Sequence, residues 1–162
     1  MDEKEGPADR PIGRGGLKPA SSQVLTLSED ECWALVRENG LGRVAIIVEG
    51  IPRIFPVNYA AAEGSVVFRT EPGTKLEHGP GSSACFEIDG YDRNAAVGWS
   101  VMVVGILQDI TNSKDERSLR LRRLTVDPAA PGARLHWLEL RAEEVSGRSF
   151  QGGWMVPGGY FG

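Results

Sequence analysis

Thiols and imidazoles are scarce in this chain of 162 residues: two cysteines and two histidines. Cys32 and Cys85 form no Cys-x-x-Cys pair, and His78 and His136 stand far apart in the chain, so no metal centre is expected. The thiols read as small core residues of a reduced, cytoplasmic protein. Cationic excess is missing as well. The net charge is −4, which argues against a nucleic-acid partner. No apolar run is long enough to cross a membrane, and the polar, acidic N-terminus carries no signal segment. There is no Gly-x-Ser-x-Gly, no Walker loop and no Gly-x-Gly-x-x-Gly after a strand. The chain therefore shows no reactive group of its own, and any chemistry has to come from a bound group.

What is present describes an ordinary globular domain, 41% apolar and 25% charged. Residues 1–23 are rich in Pro, Gly, Ser and charge without apolar periodicity and read as a mobile N-terminal arm. Residues 24–150 form the domain. Residues 151–162 are a Gly-rich tail carrying Trp154, Tyr160 and Phe161. That tail is either disordered or docks its aromatics on a neighbouring subunit.

Residues 51–75 organise the domain. Ile54, Phe55, Val57 and Tyr59 sit in a strand-like run that ends at Glu63-Gly64. A second run over residues 65–70 is broken by Pro72-Gly73. Arg69, Thr70, Thr74 and Lys75 therefore meet at one strand end. Two cations, two hydroxyls and the N–H groups of a Gly-containing turn suit a phosphate. The same residues equally fit a solvated basic turn.

Around this stretch the pattern predicts further elements. Ser28 and Glu31 form a capping box for a helix closed by Asn39-Gly40, with Gly40 as a left-handed cap, and this helix plugs one end of the sheet structure. Residues 42–48 form a strand that makes a hairpin with the next through Glu49-Gly50. Arg43 reads as a surface residue. Residues 75–81 make one helical turn with His78 in solvent. Residues 82–89 form a fourth strand and residues 91–94 a loop. Residues 95–111 form a long strand with bends or bulges at Gly98 and Gly105. A second helix is predicted over residues 113–124, capped by Ser113 and Glu116. Its Arg117, Arg120, Arg122 and Arg123 form a solvated face. A Pro-rich loop over residues 127–132 and a strand over residues 134–145 follow.

The runs FPVNY, VVFRT, GTK and GWSVMVVG, with the closing ELRAEEVSGRSF, stand in the order found in one family. The chain resembles the pyridoxamine 5′-phosphate oxidase-like proteins, the flavin-binding split β-barrels, over roughly residues 25–150. The resemblance implies a mainly β fold, a six-stranded antiparallel split β-barrel with a few short helices. It implies FMN in a groove shared by a homodimer. Pro56, Val57, Asn58 and Tyr59 would face the flavin ring. Phe68, Arg69, Thr70 and Lys75 would hold the phosphate, with Thr74 beside them. Trp99 and Ser100 would reach the ring from the other subunit, although composition alone makes Trp99 a core aromatic. Some nitroimidazole-reducing relatives carry His at the position matching Arg69. The Arg here favours anion binding, because a guanidinium grips two oxygens at once.

The implied activity is an FMN-dependent oxidoreductase passing hydride between the flavin and a small-molecule substrate or an NAD(P)H donor. Tyr59 is the only nearby acid candidate. Two rivals share the barrel. One replaces FMN by deazaflavin or haem, and deazaflavin would need a wider basic groove drawing on Arg120 to Arg123. The other is a flavin-binding protein that stores or senses the cofactor without turnover.

Overall fold

The computed structural model describes residues 23–92, 95–126 and 135–151. The arm and the tail expected at the two ends, and the Pro-rich loop, lie outside the described residues except for Gln23 and Gln151.

Six antiparallel strands form a closed ring. They are β2 (Leu41–Val48), β3 (Ile51–Ala62), β4 (Ser65–Thr70), β5 (Ser83–Asp92), β6 (Val97–Asp109) and β7 (His136–Gln151). The sheet runs β7-β4-β3-β2-β5-β6, and the β6–β7 pairing closes it. The split β-barrel read from the chain is therefore the fold. A seventh strand, β1 (Gln23–Thr26), adds to the free edge of β7, where the chain was expected to pass from arm to domain. It forms because β7 is longer than expected. Its first residues pair with β4, its last four pair with β1, and β6 lines the other edge throughout.

The pleat sorts the side chains. Val44, Ile46, Val57, Tyr59, Val66, Phe68, Phe86, Val101, Val103, Leu138 and Leu140 point inward and form the core. Alternate residues of β4 point outward, where Val67 packs against Ile110 and Leu121. Leu121 belongs to α3 (Glu116–Leu121), which covers the outside of β4. A strand covered on both faces reads as a continuous apolar run, which is why Ser-Val-Val-Phe lacks alternation. Glu49-Gly50 and Glu63-Gly64 both take positive φ at both positions, the geometry of a two-residue hairpin turn.

Helix α1 (Glu29–Glu38) carries the predicted capping box, with Ser28 N–H donating to Glu31 at 2.7 Å. Cys32, Trp33 and Val36 of α1 join the barrel core. Burial raises the pKa of the Cys32 thiol. The end of the helix differs from expectation. Asn39 is extended, its side-chain amide donates to the Leu35 carbonyl at 2.8 Å, and Gly40 does not take positive φ. The chain passes straight into β2, and Tyr59 N–H bonds Gly40 O at 3.0 Å, so no reversing cap is needed.

Two other boundaries move. Tyr91, expected in a loop, is in β5, because Asp92 pairs with Val97 at the next hairpin. Helix α3 is capped by Asp115 and not by Ser113. The Asp115 carboxylate accepts from Ser118 N–H at 2.8 Å, and the Ser113 hydroxyl donates to that same carboxylate. An ionised acceptor outcompetes the hydroxyl two residues earlier, and its pKa is held low by these bonds, that from Ser113 first. Gly105 marks a register shift as predicted, and a Cβ there would lie 1.9 Å from Arg141 O. Gly98 produces no shift; it makes room for the Phe150 ring.

Arg117 is not a solvated cation. It donates to Glu139 at 3.0 Å, to Ser65 Oγ at 2.7 Å and to Glu63 O at 2.9 Å. Glu139 is 1% exposed and also accepts from Ser65 Oγ at 2.6 Å. This network ties α3, β7 and the β3–β4 turn together.

Candidate functional site

The site arises where two paired strands part. β3 and β4 pair from Ala62↔Ser65 to Tyr59↔Phe68 and no further. Beyond that point Arg69 and Thr70 stay with β7, opposite Trp137 and His136, while residues 51–58 of β3 stay with β2. The edge of β3 that faces this gap therefore has no strand partner at Phe55, Pro56 and Val57. The turn Glu71-Pro72-Gly73 and helix α2 (Thr74–His78) close the far side. The resulting cleft is about 230 Å³.

Its lining is Phe55, Pro56, Val57, Arg69, Thr70, Thr74 and Lys75, together with residues 71–73. The residues that the sequence placed at one strand end thus surround one cavity. Each cation rests on an aromatic face. The Arg69 guanidinium lies 5.4 Å from the centre of the Trp137 ring, and Lys75 Nζ lies 4.7 Å from the centre of the Phe55 ring. Such stacking limits the rotamers of two long side chains and so lowers the entropy lost when they grip an anion. Glu71 is the one carboxylate in the lining, and it is exposed. Gly73 has φ +140°, a region closed to residues with a side chain, so the turn behind Thr74 depends on glycine.

A phosphate fits this donor set: a guanidinium, an ammonium and the Thr74 hydroxyl around a small opening, joined by the Thr70 hydroxyl once it leaves Glu71 O, to which it donates at 3.1 Å. The cavity is too small for a whole flavin, so a ring would lie outside it on the barrel surface.

Other expected site residues lie elsewhere. Tyr59 is 4% exposed, donates to Val36 O at 2.8 Å and meets the Phe86 ring edge-on at 4.7 Å. Burial raises its pKa far above neutrality, so its hydroxyl is a core group. Phe68 is wholly buried. Asn58 lines an adjoining cleft with Arg37, Asn39 and Thr125. Trp99 lies against Gly90, where a Cβ would come within 2.4 Å of its ring, and packs on the core of its own chain; Ser100 takes the opposite face of β6. Neither lines the cleft of its own chain, and the contact expected of them is with the flavin ring of a second copy. Arg120 hydrogen-bonds Glu63 at 2.8 Å and holds that carboxyl below the usual range. Glu63 stands at the opposite end of β4, a strand of six residues, roughly 17 Å from the cleft. Arg43 pairs with Glu87 and Asp89 on the outer surface.

Phe55 and Trp137 as platforms were not anticipated. Phe55 was legible as an aromatic two residues before Val57 in the same strand. Trp137 was not, because its place opposite Arg69 depends on a pairing between distant strands. His136 sits opposite Thr70 with its Nδ1 buried and without a hydrogen-bond partner. Among the described residues no group of His, Cys, Asp and Glu could hold a metal, and no helix is long and apolar enough to cross a membrane.

A family profile described as pyridoxamine 5′-phosphate oxidase matches residues 28–149. The uncharacterised Mycobacterium tuberculosis protein Rv0080 is 31% identical over 120 residues, covering 70% of this chain and 78% of its own. An FAD-binding protein from Mycobacterium smegmatis is similar in structure at a TM-score of 0.66 and 33% identity, with 78% of this chain and 97% of that chain covered. An FAD-binding protein from Mesorhizobium loti is similar at a TM-score of 0.62 and 26% identity, over 78% and 97% of the two chains.

Proposed function

The chain belongs to the pyridoxamine 5′-phosphate oxidase family, and on that premise we propose that it is a homodimeric flavin-dependent oxidoreductase that holds its flavin by the phosphate. The observation that carries this reading is the placement of Arg69 and Lys75, each on an aromatic platform, around the Thr70 and Thr74 hydroxyls. FMN is the smallest flavin with the required phosphate. The FAD-binding proteins similar to this chain support a flavin in general. The residues lining the phosphate cleft itself include no His, Cys, Met or Tyr that could serve as a haem ligand.

The bound flavin would supply electron transfer at its ring. The chain would contribute anchoring and orientation. Backbone groups of Phe55, Pro56 and Val57 on the unpaired edge of β3 would meet the ring edge. Beside that edge the outward face of β2 and β3 exposes Leu41 (64%) and Ile54 (67%), with Ile47 and Pro52 near a shallow apolar cleft of about 290 Å³. An apolar face of this kind marks an association site. A second copy of the chain would cover it and, with it, the ring, leaving a groove for a small-molecule substrate or an NAD(P)H donor. Light scattering of loaded protein should give twice the 17.5 kDa chain mass. Ile54→Asp should give a monomer with weakened flavin affinity; a monomeric wild type would remove the shared groove.

The burial of Tyr59 favours a second reading, flavin binding without turnover, because it removes the one nearby acid. Mass spectrometry of the group released on denaturation identifies the cofactor, and NAD(P)H oxidation by the loaded protein separates the two readings. Gly73→Ala tests the turn. A side chain forced into this backbone region costs roughly 1–3 kcal/mol. The expected result is a lower melting temperature together with weaker flavin binding in a fluorescence titration, since the strain falls on the residues flanking Thr74.

A further inference from the structure

Buried polar side-chain atoms are almost always hydrogen-bonded, so an exception needs a reason. His136 Nδ1 is such an exception, the one buried side-chain nitrogen or oxygen among the described residues that lacks a partner. Strand register sets it beside the phosphate cleft. His136 stands directly opposite Thr70 in the β4–β7 ladder. Opposite residues of an antiparallel pair share one face of the sheet, with Cβ atoms about 4.5–5.5 Å apart. Thr70 lines the cleft and His136 does not. The cleft opens between β3 and β4, and β7 lies on the far side of β4, so the imidazole stands behind the Thr70 hydroxyl.

Thr70 Oγ1 donates to Glu71 O at 3.1 Å. A hydroxyl has one proton and two lone pairs. To bind a phosphate dianion, which only accepts, Thr70 has to give that proton to a phosphate oxygen. Oγ1 and Glu71 O would then face each other with no proton between them. Their repulsion turns the threonine side chain, and its lone pairs turn with it. A protonated His136 Nδ1 is placed to meet them. That bond would satisfy the buried nitrogen and hold the hydroxyl with its proton aimed into the cleft. We infer that His136 is a positioning residue for the phosphate, fixing the Thr70 hydroxyl as a donor through an Nδ1–H···Oγ1 hydrogen bond that forms when the anion enters. This role rests on the phosphate reading above and extends it to a residue outside the cleft.

Three substitutions separate the role from simple packing. Asn sets its carboxamide nitrogen close to the place of Nδ1, Gln sets it near Nε2, and Phe keeps a ring without either nitrogen. In titrations of cofactor-free protein, His136→Phe should weaken FMN by roughly three- to tenfold, the range for one lost hydrogen bond, and leave riboflavin within about twofold. His136→Gln should resemble the Phe variant, and His136→Asn should recover most of the wild-type affinity. Thr70→Val removes the hydroxyl itself, so adding His136→Phe to it should weaken FMN no further. If the Phe variant fails to fold, nitrogen NMR of wild type carrying isotope-labelled histidine serves instead. The chain has two imidazoles, and His78→Gln assigns them. The Nδ1 resonance of His136 should move on addition of FMN and hold its place with riboflavin. Equal weakening of FMN and riboflavin by His136→Phe overturns the role, as do additive losses in the double variant or a His136 resonance blind to FMN, and the phosphate cleft then stands without it. Wild type that binds FMN no tighter than riboflavin removes the phosphate reading and this role with it.

Discussion

Replacing Arg69 and Lys75 together by Ala should weaken FMN by more than either single change, by between one and four orders of magnitude, while leaving riboflavin nearly unchanged. A hydrogen bond to a charged group contributes about 1.5–3 kcal/mol. Each single variant should therefore lose roughly tenfold to a hundredfold in affinity. Lys75→Ala should lose slightly less, because an ammonium acts as a point charge and a guanidinium as a two-pronged donor. The two cations serve one phosphate, so the double loss should fall short of the sum of the singles. Arg69→Lys should fall between wild type and Arg69→Ala, since it keeps the charge but loses the fork and the stacking on Trp137. Isothermal titration with FMN and riboflavin on all four variants measures these differences. If Arg69→Ala weakens riboflavin as much as FMN, Arg69 holds the strand end and not a phosphate.

Arg117→Ala should be the most destabilising change at a charged residue of α3. Removing one partner from a buried ion pair costs about 3–5 kcal/mol. Arg117 is a quarter exposed and Glu139 keeps its bond from Ser65, so about 2–4 kcal/mol is expected. At roughly 2–4 °C per kcal/mol for a chain of this size, the melting temperature should drop by several degrees or more. Arg120→Ala, which breaks a pair with Glu63 at the surface, should cost under about 1 kcal/mol. Adding Glu139→Gln to Arg117→Ala should restore part of the loss, because the charge left buried is then gone. Equal effects of Arg117→Ala and Arg120→Ala would mean that Glu139 is not the residue being neutralised.

These two sites differ in how far the sequence reveals them. The phosphate cleft was legible because its parts are local. Pro72-Gly73 ends a strand, and Arg69, Thr70, Thr74 and Lys75 flank that break within seven residues. Turn chemistry alone brings them together. The hairpins at Glu49-Gly50 and Glu63-Gly64 were legible for the same reason. The Arg117 network was not. Arg117 and Arg120 look alike in an Arg-rich helix, and only the pairing Val67↔Glu139 shows that one of them faces a buried carboxylate. Trp137 beneath Arg69 is hidden by the same long-range pairing. Tyr59 was within reach. Val57 and Tyr59 alternate with Pro56 and Asn58, and that period of two turns the tyrosine inward with the core. Its hydroxyl finds Val36 O, a partner that depends on where α1 packs.

The most direct measurement of the central claim, a flavin held by its phosphate between β3 and β4, compares FMN with riboflavin on the unmodified protein. The two ligands share a ring and a ribityl chain and differ by the phosphate alone. Two cations and two hydroxyls around that group predict FMN binding at least a hundredfold tighter than riboflavin at low ionic strength, with the gap narrowing as salt is added. Equal affinity for the two, unaffected by salt, would contradict the assignment of this cleft to a phosphate.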